Sequence, residues 1–125
     1  PERGGCRVDI RIRLWFEEKN EVLFGDGRLQ LLEAVERAGS LAAAARELNM
    51  SYRAAWGRLH ASEDRLGFAL VQRKDEGRRA MELTPAAKEI MAKYSKLKDL
   101  VQGQVDKHQK ELENILKKAR GKKGK

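Results

Sequence analysis

The residues best suited to bind a ligand lie in one short segment, SYRAAWGR, at positions 51–58. Its hydroxyl groups, its guanidinium groups and one open glycine position belong to Ser51, Tyr52, Arg53, Gly57 and Arg58. Such donors near the start of a helix bind base edges and phosphates in the major groove of DNA. Their types and spacing therefore predict a recognition surface for double-stranded DNA.

A second group of cations follows in the segment RKDEGRR at positions 73–79. Its four candidate phosphate-binding side chains are Arg73, Lys74, Arg78 and Arg79. Short apolar runs at 69–72 and 81–83 flank this loop and predict a β-hairpin. After a recognition helix such a hairpin forms a wing, whose cations contact the backbone or the minor groove. The alternative interpretation is an ordinary solvated loop.

Two short helices have to position the recognition segment. Ser40 is typical of a helix N-cap, and the alanine-rich stretch that follows has one apolar face ending near Leu48. Ser51 is a second N-cap, and the next helix is predicted over Tyr52–Leu66 with Gly67 as its stop. The spacing fits a helix-turn-helix, and the alternative is a helical hairpin in a bundle. Trp56 either packs against the first helix or flanks the groove, and we expect packing.

The N-terminal part of the chain predicts strands followed by a helix. Apolar and polar residues alternate strictly over Val8–Phe16, which indicates a strand with one buried face. A polar turn and a short second strand at Val22–Phe24 follow. Helical spacing of apolar residues then predicts a helix over Arg28–Ala38, with Gly39 at its C-terminal end.

A long amphipathic helix is predicted from Thr84-Pro85, because Thr caps a helix and Pro suits its first position. Its narrow apolar stripe, with a shift near Gly103, is typical of a seam with a partner helix. The predicted dimerisation residues are Ile90, Tyr94, Leu97, Val101, Val105, His108, Leu112 and Ile115. The seam predicts a homodimer, and the alternative is a helix whose end frays in solvent.

Composition limits the remaining functions. The formal net charge is +8, and the last nine residues carry six positive charges, so the rest of the chain is nearly neutral. A modest basic patch favours sequence-specific binding, with the basic end adding general phosphate attraction or serving as a disordered solubilising tail. Cys6 is the one cysteine, and His60 and His108 have no ligand-like spacing, so neither a metal site nor a cofactor is expected. No catalytic set, membrane span or signal peptide is evident, which predicts a non-enzymatic, cytoplasmic, nucleoid-associated protein.

The chain resembles the N-terminal DNA-binding domain of the ModE family of bacterial regulators and, more distantly, the LysR-type winged helix. The resemblance is carried by the segments GDGRLQLLEAV (25–35), AGSLAAAARELNMSYRAAW (38–56), RLG (65–67), LVQR (70–73) and ELTP (82–85). It implies a dimeric winged helix-turn-helix regulator whose recognition helix begins at Ser51-Tyr52. The charged wing tip departs from the glycine-rich tip of the family. Full-length members bind molybdate through a C-terminal domain, and we expect a stand-alone version with no molybdate site in this chain.

These observations predict an α+β, mainly helical fold with N-terminal strands. The expected parts are a winged helix-turn-helix domain at 1–84, a dimerisation helix at 85–119 and a basic disordered tail at 120–125. The predicted function is sequence-specific binding of double-stranded DNA by a homodimeric transcriptional regulator. The alternatives are a protein–protein interaction or dimerisation module, and a non-specific nucleoid-type nucleic-acid binder.

Overall fold

The computed structural model describes residues 7–74 and 80–123, and it confirms a mainly helical fold with short strand pairs. In chain order the elements are β1 (Trp15–Glu18), β2 (Glu21–Gly25), α1 (Asp26–Ala38), α2 (Leu41–Glu47), α3 (Tyr52–Leu66), β3 (Val71–Arg73), β4 (Met81–Leu83) and α4 (Pro85–Lys123). One compact unit is Leu14–Tyr94, and the described residues before and after it form a second unit. The division therefore lies within α4, whereas we expected it at the start of this helix.

The core of the first unit is built from the apolar faces of all its helices and the ends of its strands. Its largest fully enclosed side chains are Phe24, Leu32, Val35, Leu41, Leu59, Leu70 and Tyr94. Small residues lie where helices approach each other: Ala44 and Ala45 of α2 and Ala55 of α3 are completely or almost completely buried. This packing holds α3 against α1 and α2, so the direction of α3 is set by the core.

The helix ends confirm the predicted capping residues. Ser40 Oγ accepts a hydrogen bond from the Ala43 amide at 3.1 Å, and Ser51 Oγ accepts one from the Ala54 amide at 3.0 Å. At the other ends, Gly39 and Gly67 have φ of 80° and 88°, a left-handed conformation that glycine adopts without steric cost. Asn49 also has a positive φ, 56°, in the turn between α2 and α3. The helix-turn-helix is therefore defined at each of its boundaries.

The predicted strand over Val8–Phe16 is largely wrong. Only Trp15–Glu18 pairs as a strand, with β2 as its antiparallel partner. Gly25, the last residue of β2, lies opposite Trp15 and is followed directly by α1, so β2 does not extend opposite residues 8–14. In the second unit the Val8 amide instead donates a hydrogen bond to Glu113 Oε2 at 2.9 Å.

The hairpin after α3 is confirmed in its two short strands. In the antiparallel pair, Val71 lies opposite Leu83 and Arg73 lies opposite Met81. The Met81 amide donates to the Gly39 carbonyl at 2.9 Å, which ties the hairpin to the start of the helix-turn-helix. The predicted tip, including Arg78 and Arg79, lies outside the described residues.

The last helix, α4, begins at Pro85 as predicted, with Thr84 Oγ1 accepting from the Ala87 amide at 3.2 Å. It continues to Lys123, about 58 Å in all at 1.5 Å per residue. The expected boundary at 119 is therefore too early, because the basic sequence that follows contains lysine and arginine, which are good helix formers. Among the described helices, none is long and apolar enough to cross a lipid bilayer.

Candidate nucleic-acid interface

The candidate recognition helix, α3, has one buried face and one open face. Ala55, Leu59 and Ser62 point into the core, while most residues of the first two turns are exposed. Ser51 uses its oxygen as the helix cap, and its hydroxyl hydrogen remains a donor at the helix start. The N-terminal half of α3 is thus a rigid surface with polar groups at its edge.

Three aromatic rings follow one another along this open face. Tyr52 is 53% exposed and Trp56 is 48% exposed, and the Trp56 ring lies 4.0 Å from the His60 ring, centroid to centroid. His60 Nδ1 in turn lies 3.2 Å from Glu63 Oε1. The expectation that Trp56 packs against α2 is wrong, because the neighbouring Ala55 takes the core position and rotates Trp56 toward solvent.

Arg53 and Gly57 complete the open face. Arg53 is exposed at the second position of the helix. A Cβ added at Gly57 would meet no atom within 4 Å, so packing within the protein does not demand glycine there. Its absence of a side chain leaves a low point beside Trp56, where another molecule can approach the backbone closely.

A groove joins the start of α3 to the hairpin. It encloses about 600 Å³ and is lined by Ser40, Leu41, Ala42, Tyr52, Arg73, Ala80 and Met81. The structure thereby brings Tyr52 and Arg73, which lie 21 positions apart in sequence, to one surface. Lys74 is exposed directly after β3. A hydrogen bond from the Met81 amide to the Gly39 carbonyl joins the hairpin to the helix-turn-helix beside this groove.

Arg58 lies in a different pocket from the other candidate DNA-binding residues. It lines a pocket of about 240 Å³ together with Arg28 of α1 and Arg65 of α3. Arg28 Nε donates to Ser62 Oγ at 3.0 Å, which places Arg28 over a buried polar group. Sequence reasoning missed Arg28 and Arg65. The seven-residue spacing of Arg58 and Arg65 was a signal for one helical face, but nothing in the sequence indicated Arg28.

The predicted dimerisation stripe separates into two parts. Tyr94 is 2% exposed, so its assignment to a seam between subunits is wrong. Ile90 packs against the same core but is only partly buried, and its role in dimerisation stays a prediction. The first turns of α4 are needed to close the core of their own chain. In the second unit Leu97 is 42%, Leu112 38% and Ile115 61% exposed, and their role in dimerisation stays a prediction.

The remaining residues of the stripe are mixed. Val101 and Val105 are half-buried, and His108 is exposed with Nδ1 3.4 Å from Glu111 Oε1. Leu100, which the predicted stripe omitted, is 61% exposed. The exposed apolar surface on α4 therefore includes one residue more than the sequence periodicity indicated.

The chain is similar to DNA-associated regulators over the helix-turn-helix and the hairpin. Residues 27–88 match the family described as bacterial regulatory helix-turn-helix protein, lysR family. The crystal structure of the CbnR_DBD–DNA complex superposes with a TM-score of 0.52 at 30% sequence identity, covering 65% of this chain and 90% of that chain. The matched region contains α1, α2, α3 and both strands of the hairpin.

Two curated relatives confirm the resemblance to ModE-type regulators. The molybdenum-pterin-binding protein MopB of Rhodobacter capsulatus is 37% identical over 79 residues, which is 62% of this chain and 29% of MopB. The molybdenum transport protein ModE of Azotobacter vinelandii is 34% identical over 92 residues, 72% of this chain and 34% of ModE. The chain spans about a third of the length of these relatives. The molybdenum functions in their names are functions of those proteins.

Proposed function

Since this chain belongs, through residues 27–88, to the lysR family of bacterial regulatory helix-turn-helix proteins, we propose that it is a sequence-specific double-stranded DNA-binding transcriptional regulator. The observation that carries the proposal is the open N-terminal half of α3. It is held rigidly by a buried opposite face and shares a groove with the hairpin. Binding, rather than catalysis, is the activity we propose, and a regulator of this kind acts on the chromosome in the cytoplasm.

In the proposed complex, α3 lies in the major groove with Ser51, Tyr52 and Arg53 foremost. Arginine recognises guanine through two hydrogen bonds to its major-groove edge, and apolar rings contact the methyl group of thymine. Arg53 suits the first contact, while Tyr52 and Trp56 suit the second. Gly57 lets the DNA approach the helix axis beside Trp56. Together these side chains provide both polar and apolar readout from one face.

The hairpin would bind the DNA beside this site. Arg73 lies in the same groove as Tyr52, and Lys74 is exposed at the end of β3. Contacts from such cations to phosphate oxygens fix the position of the helix and carry no sequence information of their own. Arg78 and Arg79 would extend the contact at the tip.

We also propose a homodimer formed through the exposed apolar residues of α4. Leu97, Leu100, Leu112 and Ile115 are large and exposed, which supports a helix–helix contact with a second copy. A two-fold axis would place two α3 helices in successive major grooves. The expected target is an imperfect palindrome with half-sites about 10 base pairs apart, or a multiple of that spacing.

The experiment that tests this proposal compares Arg53→Ala with removal of residues 117–125. Losing a base contact should lower the ratio of specific to non-specific affinity by about 5- to 150-fold, at roughly 1–3 kcal/mol per bidentate contact. Removing the basic end should weaken binding to all sequences and flatten its salt dependence. Both are measured by fluorescence anisotropy against a selected duplex and a random one. Loss of all binding on truncation, with no effect of Arg53→Ala, would contradict the recognition-helix assignment.

Two other functions are separated by the same measurements. A non-specific nucleoid-type nucleic-acid binder would bind random duplexes and competitor RNA as tightly as any selected sequence. A protein–protein interaction module would retain no DNA even at low salt. The nearly neutral composition outside the last nine residues favours a specific binder over the first alternative.

A further inference from the structure

A small basic pocket lies between the first turn of α1 and the middle of α3. Its volume is about 240 Å³, and it is lined by Gly27, Arg28, Leu31, Arg58, Ala61, Ser62 and Arg65. The three guanidinium groups come from two helices whose relative position is set by the core. A Cβ added at Gly27 would meet no atom within 4 Å, so the entrance beside Arg28 is open.

The positive charge of this pocket has no acidic partner inside the described part of the chain. None of the three arginines makes an ion pair with a carboxylate there. Arg28 Nε instead donates to the hydroxyl of buried Ser62 at 3.0 Å, and an Arg65 amino group lies 3.5 Å from the Val22 carbonyl oxygen. Burial, followed by the charges of Arg65 and Arg58, lowers the pKa of Arg28 below its ordinary value. Arg28 and Arg65 are thus each hydrogen-bonded within the fold and line one pocket with Arg58, although the grouping is electrostatically unfavourable for Arg28.

An oxyanion would remove this repulsion. Guanidinium groups present planar pairs of N–H donors that match the oxygens of a phosphate, and they bind it more directionally than lysine does. The hydrogen bond to Ser62 holds Arg28 in place before any ligand arrives, which lowers the entropic cost of binding. An ordinary solvated arginine surface needs neither a shared pocket nor a buried hydroxyl as an anchor.

We propose that Arg28, Arg58 and Arg65 form a binding site for a phosphate group, occupied in the DNA complex by a backbone phosphate beside the groove that α3 enters. The DNA-bound state rests on the proposed function. The site would be separate from Arg53 and from the hairpin, and it would anchor α3 from the side of α1. Because it binds the backbone, it would strengthen binding to every sequence equally.

The test uses the full chain with Arg58→Gln and Arg65→Gln combined, since Arg28 also contributes to packing over Ser62. The matched control is Lys93→Gln with Lys96→Gln, which removes the same charge from exposed positions on α4. Each lost phosphate contact should reduce the slope of log affinity against log salt by about 0.9, and because the pocket binds one phosphate, the pocket variant should lose roughly 0.9. The control should keep the wild-type slope, and the ratio of specific to random binding should stay constant in both.

A second measurement separates a DNA phosphate from a free one. The melting temperature is recorded in inorganic phosphate and in chloride at equal ionic strength. A reduced DNA slope in the pocket variant supports a backbone phosphate as the ligand. An unchanged slope, together with phosphate stabilisation of the wild type alone, supports a free oxyanion. If the pocket variant matches the control in both measurements, the site does not exist. If the wild-type chain binds no DNA, the proposed function fails while the phosphate measurement still decides the site.

Discussion

Replacing Tyr94 with Phe tests whether the start of α4 belongs to the core of its own chain. The Tyr94 hydroxyl lies 2.8 Å from the Leu14 carbonyl oxygen and 3.0 Å from Asp26 Oδ1. Its ring meets Phe24 edge to face at 5.3 Å between centroids. Phenylalanine preserves the ring contact and removes only the hydroxyl, so the variant isolates one buried polar interaction.

The expected cost has two parts. Losing a hydrogen bond to a buried acceptor costs about 1–3 kcal/mol, and the lower half of that range applies because the acceptors on Leu14 and Asp26 are only partly buried. Burial, and then the Asp26 carboxylate that accepts its hydrogen bond, raise the pKa of Tyr94 to about 12. The tyrosine pKa in the unfolded chain is about 10.

The sign of the pH dependence follows from these two values. Below about pH 10 the hydroxyl is protonated in both states, so its contribution to stability is fully present. Between about 10 and 12 the unfolded chain loses the proton first, and stability falls as pH rises. At about pH 11 the loss reaches roughly 1.4 kcal/mol, which would cancel most of the wild-type advantage over Tyr94→Phe.

The assay is urea unfolding of both proteins at one fixed protein concentration, at about pH 8 and about pH 11. We expect the wild type to exceed the variant by about 1–2 kcal/mol at the lower pH and by little at the higher. The two proteins share every other ionisable group, so the effects of those groups cancel in the difference. An equal free energy of unfolding at pH 8, or a gap that persists at pH 11, would refute this account. If Tyr94→Phe changed only the dissociation of the dimer and not the free energy of unfolding, Tyr94 would belong to the interface between subunits.

Two further predictions concern the open faces of α3 and α4. Trp56→Ala should change the free energy of unfolding by less than about 0.5 kcal/mol, because the side chain is half exposed, and should reduce specific DNA affinity several-fold. A large loss of stability in denaturant unfolding would mean that Trp56 packs in the core after all. Ile115→Lys should shift the molecule from dimer to monomer in sedimentation velocity, whereas the adjacent exposed substitution Asn114→Lys should not. Equal sedimentation of the two variants would remove Ile115 from the interface.

Local signals predicted most of the fold. Helix ends depend on the backbone groups of neighbouring residues, so they can be predicted from a few residues. The examples here are the serine N-caps, the glycines at helix C-termini and the Thr-Pro pair before the long helix. Tyr52–Leu66 was predicted with its observed limits for this reason. The predicted strand over Val8–Phe16 was largely wrong, because alternation of apolar and polar residues indicates which face is apolar but does not indicate whether a partner strand exists.

The candidate site could be predicted only in part. Tyr52 and Arg53 follow directly from the start of α3, and Arg73 from the hairpin. Arg28 could not be predicted, because it lies 37 positions before Arg65 in the sequence and their closeness arises from the packing of α1 against α3. No local sequence pattern connects residues so far apart.

The sequence by itself determined where the helices of the helix-turn-helix begin and end, because capping and left-handed turns depend on adjacent residues. Tertiary structure alone decided which apolar side chains enter the core. Tyr94 and Leu97 share one helical stripe, yet one is enclosed and the other is 42% exposed. Periodicity identifies a face, whereas burial depends on what packs against that face at each turn.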